Sequence, residues 1–207
     1  MRNILHRTLQ QCERLLDVTS VERGGAARLR GCPWRCVGCN DGAVETTAGA
    51  VTVRDFVADD SAVTLSVFLD AITVTASADY SPEQIAAWSA PHDRSVTEWG
   101  LSRASTNTIV AIVDGSIAGF SDVDNDGYIH MMFVAPEFGH RGVARALLEE
   151  VESRARTLGV TVLSTNASIT ARPFFERHGF QAVATQHPTL RGISLINYRM
   201  VRSLLAE

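Results

Sequence analysis

Hydrophobic and polar positions after Val51 follow two alternating patterns. Apolar runs with a two-residue period, or continuous ones bounded by turn residues, predict the strands VTVRDFV, NTIVAIV, SIAGFSDV, YIHMMFV, VTVLST, FQAVATQ and ISLINYRMV. Segments with a helical period lie between them, at DDSAVTLSVFLDAI, YSPEQIAAWS and TARPFFERHGF. Strands and helices mixed in this order predict an α/β or α+β domain of about 150 residues.

The strongest helical signal follows Gly142. Apolar residues recur there at intervals of three and four, and Glu and Arg occupy other positions. The apolar set is Val143, Ala144, Leu147, Leu148, Val151, Ala155 and Leu158. Gly159 is predicted to end this helix. Upstream, Asp114-Gly115 between two apolar runs suits a type I′ turn and predicts an antiparallel hairpin.

The first fifty residues differ in composition from the rest. They carry a net charge of +2, against −6 for residues 51–207, and the small-residue segment TTAGA separates the two parts. We therefore expect an N-terminal extension over residues 1–50 and one domain over residues 51–207.

All four cysteines lie in the extension, at Cys12, Cys32, Cys36 and Cys39. The last three, in GCPWRCVGCN, resemble in spacing the cluster loop of radical S-adenosylmethionine enzymes, so an iron–sulfur cluster is one hypothesis. Zinc is another, with Cys12 or His6 as a fourth ligand if the chain folds back. The alternative is a partly disordered arm without a metal, and we assign no metal ligand among these residues.

Composition narrows the classes of function. The 207 residues are 45% hydrophobic and 20% charged, as in an ordinary soluble domain. A net charge of −4 argues against general nucleic-acid binding, which needs a basic surface. No apolar run approaches the ~20 residues of a membrane-spanning helix, and the N-terminus lacks the apolar block of a signal peptide. Because nothing after the extension needs a disulfide, we expect a cytoplasmic protein.

One acidic segment, DVDNDG, matches the opening of an EF-hand calcium loop. Asp122, Asp124 and Asp126 stand at its ligand positions and are followed by Gly127. The closing Glu of such a loop would fall at Phe133, and the flanking segments are predicted strands rather than helices. The segment therefore predicts a polar turn between strands.

The most informative stretch is IHMMFVAPEFGHRGVARALL, where a strand enters a loop that opens directly into the long helix. Free N–H groups at such a helix start, aided by the helix dipole, form a receptor for a phosphate-type anion. Gly139 and Gly142 let the backbone approach the anion, and Arg141 and Arg145 add cationic donors. The alternative is a tight turn with solvated arginines.

Two short motifs stand in order along the chain, GHRGVA and SITARPFFERHGF. They resemble the signatures of the GCN5-related N-acetyltransferases, whose Gln/Arg-x-x-Gly-x-Gly/Ala loop cradles the pyrophosphate of acetyl-coenzyme A. Gly142 and Ala144 fill the two small-residue positions; Gly139 stands where Gln or Arg is usual, and His140 where a small residue is common. In the second motif, the residues in register are Ser168, Ala171, Glu176, Gly179 and Phe180.

The resemblance implies a mixed, mostly antiparallel sheet flanked by helices, in which two central strands splay apart. Acetyl-coenzyme A, as co-substrate, would lie between these strands, the first of which is YIHMMFV. Backbone groups of Phe133 and Val134 would pair with its pantetheine arm, and the ring of Phe175 would pack against that arm. The other implied cofactor-binding residues are Gly139, His140, Arg141, Gly142, Val143, Ala144, Arg145 and Ser168.

The resemblance also implies N-acetyl transfer to a primary amine of a small molecule or peptide. A general base must remove the amine proton, and His130 on the splayed strand is the candidate; the alternative is a half-buried histidine bonded to a neighbour. Relatives often have a tyrosine that protonates the thiolate where this chain has Phe175. Tyr198 or Tyr128 is therefore the candidate acid.

The alternative function is a non-catalytic coenzyme A-binding sensor or regulatory domain, which Phe175 and Gly139 favour. In relatives the acceptor side is lined by a helical segment that corresponds to Asp79, Tyr80 and Trp88. The acidic charge of the domain favours a cationic acceptor. We expect a monomer or homodimer without a nucleic-acid or membrane partner.

Overall fold

The computed structural model describes residues 50–90 and 94–205. The predicted extension, apart from Ala50, and its cysteines Cys12, Cys32, Cys36 and Cys39 lie outside the described residues. The helices are α1 (Ser61–Asp70), α2 (Pro82–Ser89), α3 (Val96–Ala104), α4 (Val143–Thr157) and α5 (Arg172–Arg177). The strands are β1 (Thr52–Asp55), β2 (Ile109–Val113), β3 (Ser116–Ser121), β4 (Tyr128–Ile129), β5 (Met132–Val134), β6 (Val162–Ser168), β7 (Gln181–Gln186), β8 (Thr189–Leu190), β9 (Ile193–Ser194) and β10 (Asn197–Ser203).

Local sequence signals account for several of these boundaries. Asp114 and Gly115 have φ values of 50° and 79°, as the predicted type I′ turn requires. Gly159, with φ of 74°, follows α4 as predicted. Helix α3 was not among the predicted elements, because Gly100 and β-branched residues weaken its helical pattern. It is held instead by tertiary packing of Trp99, which is buried.

The strands of the described residues form two four-stranded sheets and a short ribbon. The first sheet has the order β1-β2-β3-β5 and is antiparallel throughout. The second has the order β4-β6-β10-β7, in which β4 and β6 are parallel and the other pairs antiparallel. Strands β8 and β9 form the ribbon. The predicted mixed, mostly antiparallel sheet flanked by helices is confirmed.

The predicted strand YIHMMFV is divided between the two sheets. Strand β4 pairs with β6, whereas β5 pairs with β3. Ile129 and Met132 face the same core, although regular alternation would put them on opposite faces. Residues 130 and 131 between them therefore form a bulge that shifts the alternation by one residue. Beyond this bulge β5 and β6 have parted, which is the predicted splay.

Two apolar clusters cover the faces of the first sheet. On β2, Ile109 and Ala111 belong to the cluster that includes α4 and Phe175 of α5, which we call the α4 cluster. Val110 points to the other face and belongs to the cluster formed with α1 and α3, which we call the α1 cluster. The sheet is thus a layer between two groups of helices.

Residues 58–78 form one continuous helical segment that contains α1 and a π-helical stretch, Ala71–Thr75. By length and composition this segment is apolar enough to cross a membrane, which corrects our expectation that no apolar run approaches that length. Phe68 and Ile72 are only 3% and 0% exposed, however, and pack in the α1 cluster. We therefore interpret the segment as a helix that packs one face against the core of the domain.

Gly119 of β3 sets how closely α4 approaches the sheet. A Cβ atom on this residue would lie 2.7 Å from the carbonyl oxygen of Phe133 and 3.0 Å from Cγ1 of Val143. The absence of a Cβ atom on Gly119 therefore allows both β5 and the first turn of α4 to lie close to β3.

Replacing Gly119 with Ala is expected to lower the free energy of unfolding by about 1–3 kcal/mol, because the added methyl must displace its neighbours. Urea unfolding followed by circular dichroism measures the change. At an unobstructed position the same substitution stabilises by about 0.4–1 kcal/mol through its effect on the unfolded chain. The sign of the change is therefore decisive, and a stabilised variant would contradict the close approach.

Candidate active site

The hydrogen bonding of β5 decides which of its peptide groups are available to a ligand. The N–H of Ala135 donates to the carbonyl of Ala118 at 2.9 Å, so these two residues form a hydrogen-bonded pair. Bonded and non-bonded pairs alternate along an antiparallel ladder. Phe133, two residues earlier and opposite Phe120, is therefore also in a bonded pair. Its peptide groups are used by β3.

Met132 and Val134 occupy the non-bonded positions of this ladder. Their N–H and C=O groups point away from β3, toward the edge where the first sheet ends. No strand in the described part of the chain pairs with that edge. Val134 therefore remains a candidate for pairing with the cofactor. Met132 replaces Phe133 as the second candidate, because the peptide groups of Phe133 are bonded to β3.

Strand β6 forms the other side of the gap. Only Ser164 and Thr165 pair with β4, so residues 166–168 have no strand partner on that side within the described residues. The hydroxyl of Thr165 donates to the carbonyl of Ile129 at 3.1 Å, at the point where the strands separate. The gap between β5 and β6 therefore begins beside the bulge.

The loop between β5 and α4 has the geometry of the predicted anion receptor. His140 and Gly142 adopt positive φ values of 60° and 83°, and α4 begins at Val143. The first N–H groups of a helix have no partner within it, and the helix dipole adds positive potential there. The space over Gly142 is open, since an added Cβ would meet nothing within 4 Å.

The two arginines of this loop are paired with surface carboxylates. Arg141 donates from Nη2 to Oδ2 of Asp114 at 2.8 Å, and Arg145 donates from Nε to Oε1 of Glu149 at 2.8 Å. Both pairs are exposed to solvent. The structure thus favours the alternative of solvated arginines, and it leaves backbone N–H groups as the main donors of the loop.

Two residues implied by the second motif have structural partners. The Oγ atom of Ser168 accepts a hydrogen bond from the N–H of Ala171 at 3.0 Å, just before α5. Phe175 is 3% exposed, and its ring packs edge-on against Phe180, with 5.0 Å between centroids. The ring of Phe175 is enclosed by the α4 cluster. This corrects the expectation that it lines the cofactor cleft.

Tyr198 lies beside the start of α5. The guanidinium of Arg172 stands 4.3 Å from the centre of its ring. The carboxylate of Glu176 and, less strongly, the hydroxyl of Tyr198 raise the pKa of Arg172 by hydrogen bonding. Tyr128, the other candidate acid, instead packs against His130, with 4.7 Å between ring centroids. Of the two tyrosines, the structure places Tyr128 in contact with the candidate base.

His130 stands in the bulge and is half-buried. Its Nε2 atom lies 3.1 Å from Oδ2 of Asp124. The other oxygen of Asp124 accepts the N–H groups of Asp126 and Tyr128, at 3.0 and 2.8 Å, so the turn holds this carboxylate in place. The arrangement agrees with a half-buried histidine bonded to a neighbour. A carboxylate that orients an imidazole is also the arrangement found in many general bases.

Asp122, which the sequence predicts only as part of a polar turn, also lies in this region. It is fully buried; its Oδ1 accepts the N–H groups of His130 and Met131 at 2.9 and 3.0 Å. Its Oδ2 accepts from Nη1 of Arg103 at 2.6 Å. Burial raises the pKa of Asp122, while the guanidinium and the two N–H groups oppose that rise. No motif signals this pair, because Arg103 stands 19 positions earlier.

On the α1 side of the gap, Tyr80 connects the helical layer to the sheet. Its hydroxyl donates to the carbonyl of Ile196 at 2.7 Å and accepts from the N–H of Ile169 at 2.9 Å. Burial raises the pKa of Tyr80. Trp88 packs edge-on against Tyr80 and lies 6.5 Å from Phe133 between ring centroids. Tyr80 therefore links the helical layer to the sheet through two hydrogen bonds, and Trp88 lines the α1 side of the gap.

An unpaired strand edge next to a helix N-terminus suits an extended ligand that carries amide groups and ends in a phosphate-type anion. Coenzyme A thioesters have this form, so the fold and site are those expected of an acyltransferase that uses acyl-coenzyme A. Comparison with known families agrees, since the acetyltransferase (GNAT) domain profile matches residues 76–202. The chain belongs to the GCN5-related N-acetyltransferase family, whose general reaction is N-acetylation by acetyl-coenzyme A.

Individual relatives support the same family. The uncharacterized N-acetyltransferase YafP of Escherichia coli (strain K12) is 40% identical over 152 residues, which are 72% of this chain and 94% of YafP. The structure of "GCN5-Related N-acetyltransferase: Aminotransferase, Class-II" from Rhodopseudomonas palustris has a TM-score of 0.71 and 28% identity, over 79% of this chain and 100% of its own. YncA of Salmonella typhimurium, solved with acetyl-coenzyme A, has a TM-score of 0.57 and 17% identity, over 76% and 96%, and shares the fold.

Replacing Gly142 with Ala is expected to weaken acetyl-coenzyme A binding about tenfold or more, because the methyl enters the space over the loop's N–H groups. Gly159 at the other end of α4 offers a matched control, with φ of 74° and nothing within 4 Å of an added Cβ. Both substitutions carry a similar left-handed strain of about 1–2 kcal/mol. Isothermal titration calorimetry compares them, and an equal loss of affinity in both would contradict the anion receptor.

Proposed function

We propose that the protein transfers the acetyl group of acetyl-coenzyme A to a primary amine of a small molecule or peptide. The observation that carries the proposal is the gap between β5 and β6. The peptide groups of Met132 and Val134 face it, and the chain runs from β5 directly into the loop before α4. A single ligand can therefore contact the strand edge and the helix start together.

In this proposal the pantetheine arm pairs with β5 as an added strand. Met132 and Val134 exchange hydrogen bonds with its amides, and its pyrophosphate accepts from N–H groups of residues 142–144. Since the arm runs from the start of α4 back along β5, its thioester end reaches the bulge. His130 and Met131 stand there.

The amine attacks the thioester carbonyl as the neutral base. A nitrogen–carbon bond forms, the carbon–sulfur bond breaks, and the amine proton passes to a base. We assign this role to His130, directly or through a water molecule, with Asp124 orienting its ring. Most of the acceleration comes from holding amine and thioester together. A thiol with a pKa near ~8.5 is a tolerable leaving group, so Phe175 does not prevent the reaction.

The residues on the α1 side favour an amine with an apolar body. Trp88, Phe133 and Ile169 are all partly exposed there and pack against the α1 cluster or the small cluster around Tyr80. Asp79, which accepts from the hydroxyl of Thr170 at 2.6 Å, adds an exposed carboxylate. The net acidity of the domain also attracts cations. An alkyl or arylalkyl amine, which binds as the cation and loses a proton before it attacks, fits this combination.

A second candidate function is a domain that binds coenzyme A without turning it over. The observation that favours it is Phe175, which supplies no hydroxyl at the position of the family's tyrosine and is enclosed by the core. In that case the cleft would bind acetyl-coenzyme A and leave the thioester intact.

Calorimetry followed by a thiol-release assay distinguishes these functions. We expect acetyl-coenzyme A to bind, and at least one member of a panel of aromatic amines, aliphatic amines, polyamines and peptides to stimulate thiol release. Binding with no release across the panel would support the sensor instead. A wild-type protein that binds no acetyl-coenzyme A would exclude both functions.

Replacing His130 with Gln is expected to lower kcat/KM by about 10²–10⁴-fold, the usual contribution of a general base. The acidic limb of the pH–rate profile should also disappear, because a histidine base can take up a proton and glutamine cannot. His178→Gln is the control, since the Nδ1 atom of His178, just after α5, is bonded to the carbonyl of Phe174 in that helix. An unchanged profile in the His130 variant would remove it as the base.

A further inference from the structure

The ion pair between Asp122 and Arg103 lies inside the protein, with side chains that are 0% and 5% exposed. Buried ion pairs add little net stability, because the loss of hydration offsets the attraction. Among the described residues the Nε atom of Arg103 has no hydrogen-bond partner, so even this pair is incompletely satisfied. Its position in the fold is more informative than its energy.

Asp122 stands where the central strand leaves one sheet for the other. The ladder with β6 ends at Ile129, the residue pairs with β3 begin at Met132, and the N–H of Asp122 donates to the carbonyl of Met131 at 3.2 Å. The N–H groups of His130 and Met131 therefore have no place in either ladder. An unsatisfied buried N–H costs about 1–3 kcal/mol, and one oxygen of Asp122 satisfies both.

The bulge decides which residues of β5 face the cofactor gap. Without it, the strand alternation would shift by one residue, and Phe133 rather than Met132 would present its peptide groups there. Ser121, next to Asp122, adds a second contact to the bulge, since its hydroxyl donates to the carbonyl of Met131 at 2.9 Å.

We propose that Asp122 is a positioning residue for the cofactor: by accepting the N–H groups of His130 and Met131, it fixes the bulge that directs the peptide groups of Met132 and Val134 toward the pantetheine arm. Arg103 donates to the second oxygen of the carboxylate and balances its charge. This inference rests on the proposed binding of acetyl-coenzyme A in the gap, and it concerns affinity and geometry rather than proton transfer.

Two double variants separate the hydrogen-bond acceptor from the ion pair. Asp122→Asn with Arg103→Met removes both charges and keeps an oxygen that can accept both N–H groups. Asp122→Leu with Arg103→Met also removes both charges, at similar volume, but offers no acceptor. Because both variants carry Arg103→Met, a difference between them reports on the side chain at position 122 rather than on the ion pair.

Calorimetry should show that the Asn variant binds acetyl-coenzyme A within about threefold of wild type, and that the Leu variant binds about tenfold or more weakly. Amide hydrogen exchange, measured by nuclear magnetic resonance, gives a readout independent of activity. The amides of His130 and Met131 should stay protected in the Asn variant and exchange rapidly in the Leu variant. Equal affinity and equal protection in the two variants would overturn the proposal.

The pair between Arg54 and Asp60 at the start of α1 provides a matched control. Arg54 bonds both oxygens of Asp60, at 2.6 and 2.8 Å, and Oδ2 of Asp60 also accepts the N–H of Val57 at 2.9 Å. Asp60→Leu with Arg54→Met should lower the unfolding midpoint and leave affinity for acetyl-coenzyme A unchanged. An equal loss of affinity in this control would overturn the positioning role.

Arg103→Met alone keeps the proposal testable if the Leu variant does not fold. It retains the Asp122 oxygens, so affinity and exchange protection should persist even if the unfolding midpoint falls; their loss would overturn the proposal. The proposed function fails separately: wild-type protein that binds acetyl-coenzyme A but releases no thiol contradicts amine transfer and leaves these comparisons valid. Wild-type protein that binds none contradicts both.

Discussion

A β-strand that leaves one neighbour to pair with another must pass through residues whose amides belong to neither ladder, and the cofactor cleft depends on how those amides are satisfied. In this protein the crossing takes only His130 and Met131. Because Asp122 supplies an acceptor from inside the fold, the two sheets can separate at that point without leaving buried donors unpaired. The unpaired edge of β5, an aggregation hazard in most proteins, becomes a place for an extended ligand.

Much of the architecture could be predicted from local chemistry. The turn at Asp114-Gly115, the long amphipathic helix and the end of that helix at Gly159 follow from backbone conformations that few residues adopt and from apolar spacing. Gly142 was predicted for the same reason, since a loop that presents N–H groups to an anion requires a residue that tolerates positive φ. These signals lie within a few residues of one another, so one sequence suffices to recognise them.

The remaining features depend on contacts between distant segments. The resemblance placed Phe133 at the gap, and the apolar pattern YIHMMFV contains no sign of the bulge that exchanges it for Met132. The bulge in turn depends on Asp122, whose buried partner Arg103 lies in a helix that its own sequence barely predicts. The partner of Arg141 could not be predicted for a similar reason: a carboxylate on the neighbouring hairpin turn pairs with it. The sequence shows which side chains carry charge, but not which partners the fold brings to them.

The hydroxyl of Tyr80 has a consequence for the motions of the domain. One oxygen atom connects the end of β6, the segment before β10 and the helical layer, through bonds to Ile169 and Ile196. If the helical layer that contains Tyr80 separated from the sheet, both hydrogen bonds would be lost together, so this hydroxyl couples the layer to the end of β6 and to the segment before β10. A substrate that entered by separating this layer from the sheet would break these hydrogen bonds beside the cofactor cleft. A substrate that entered along the strand edges would leave them intact.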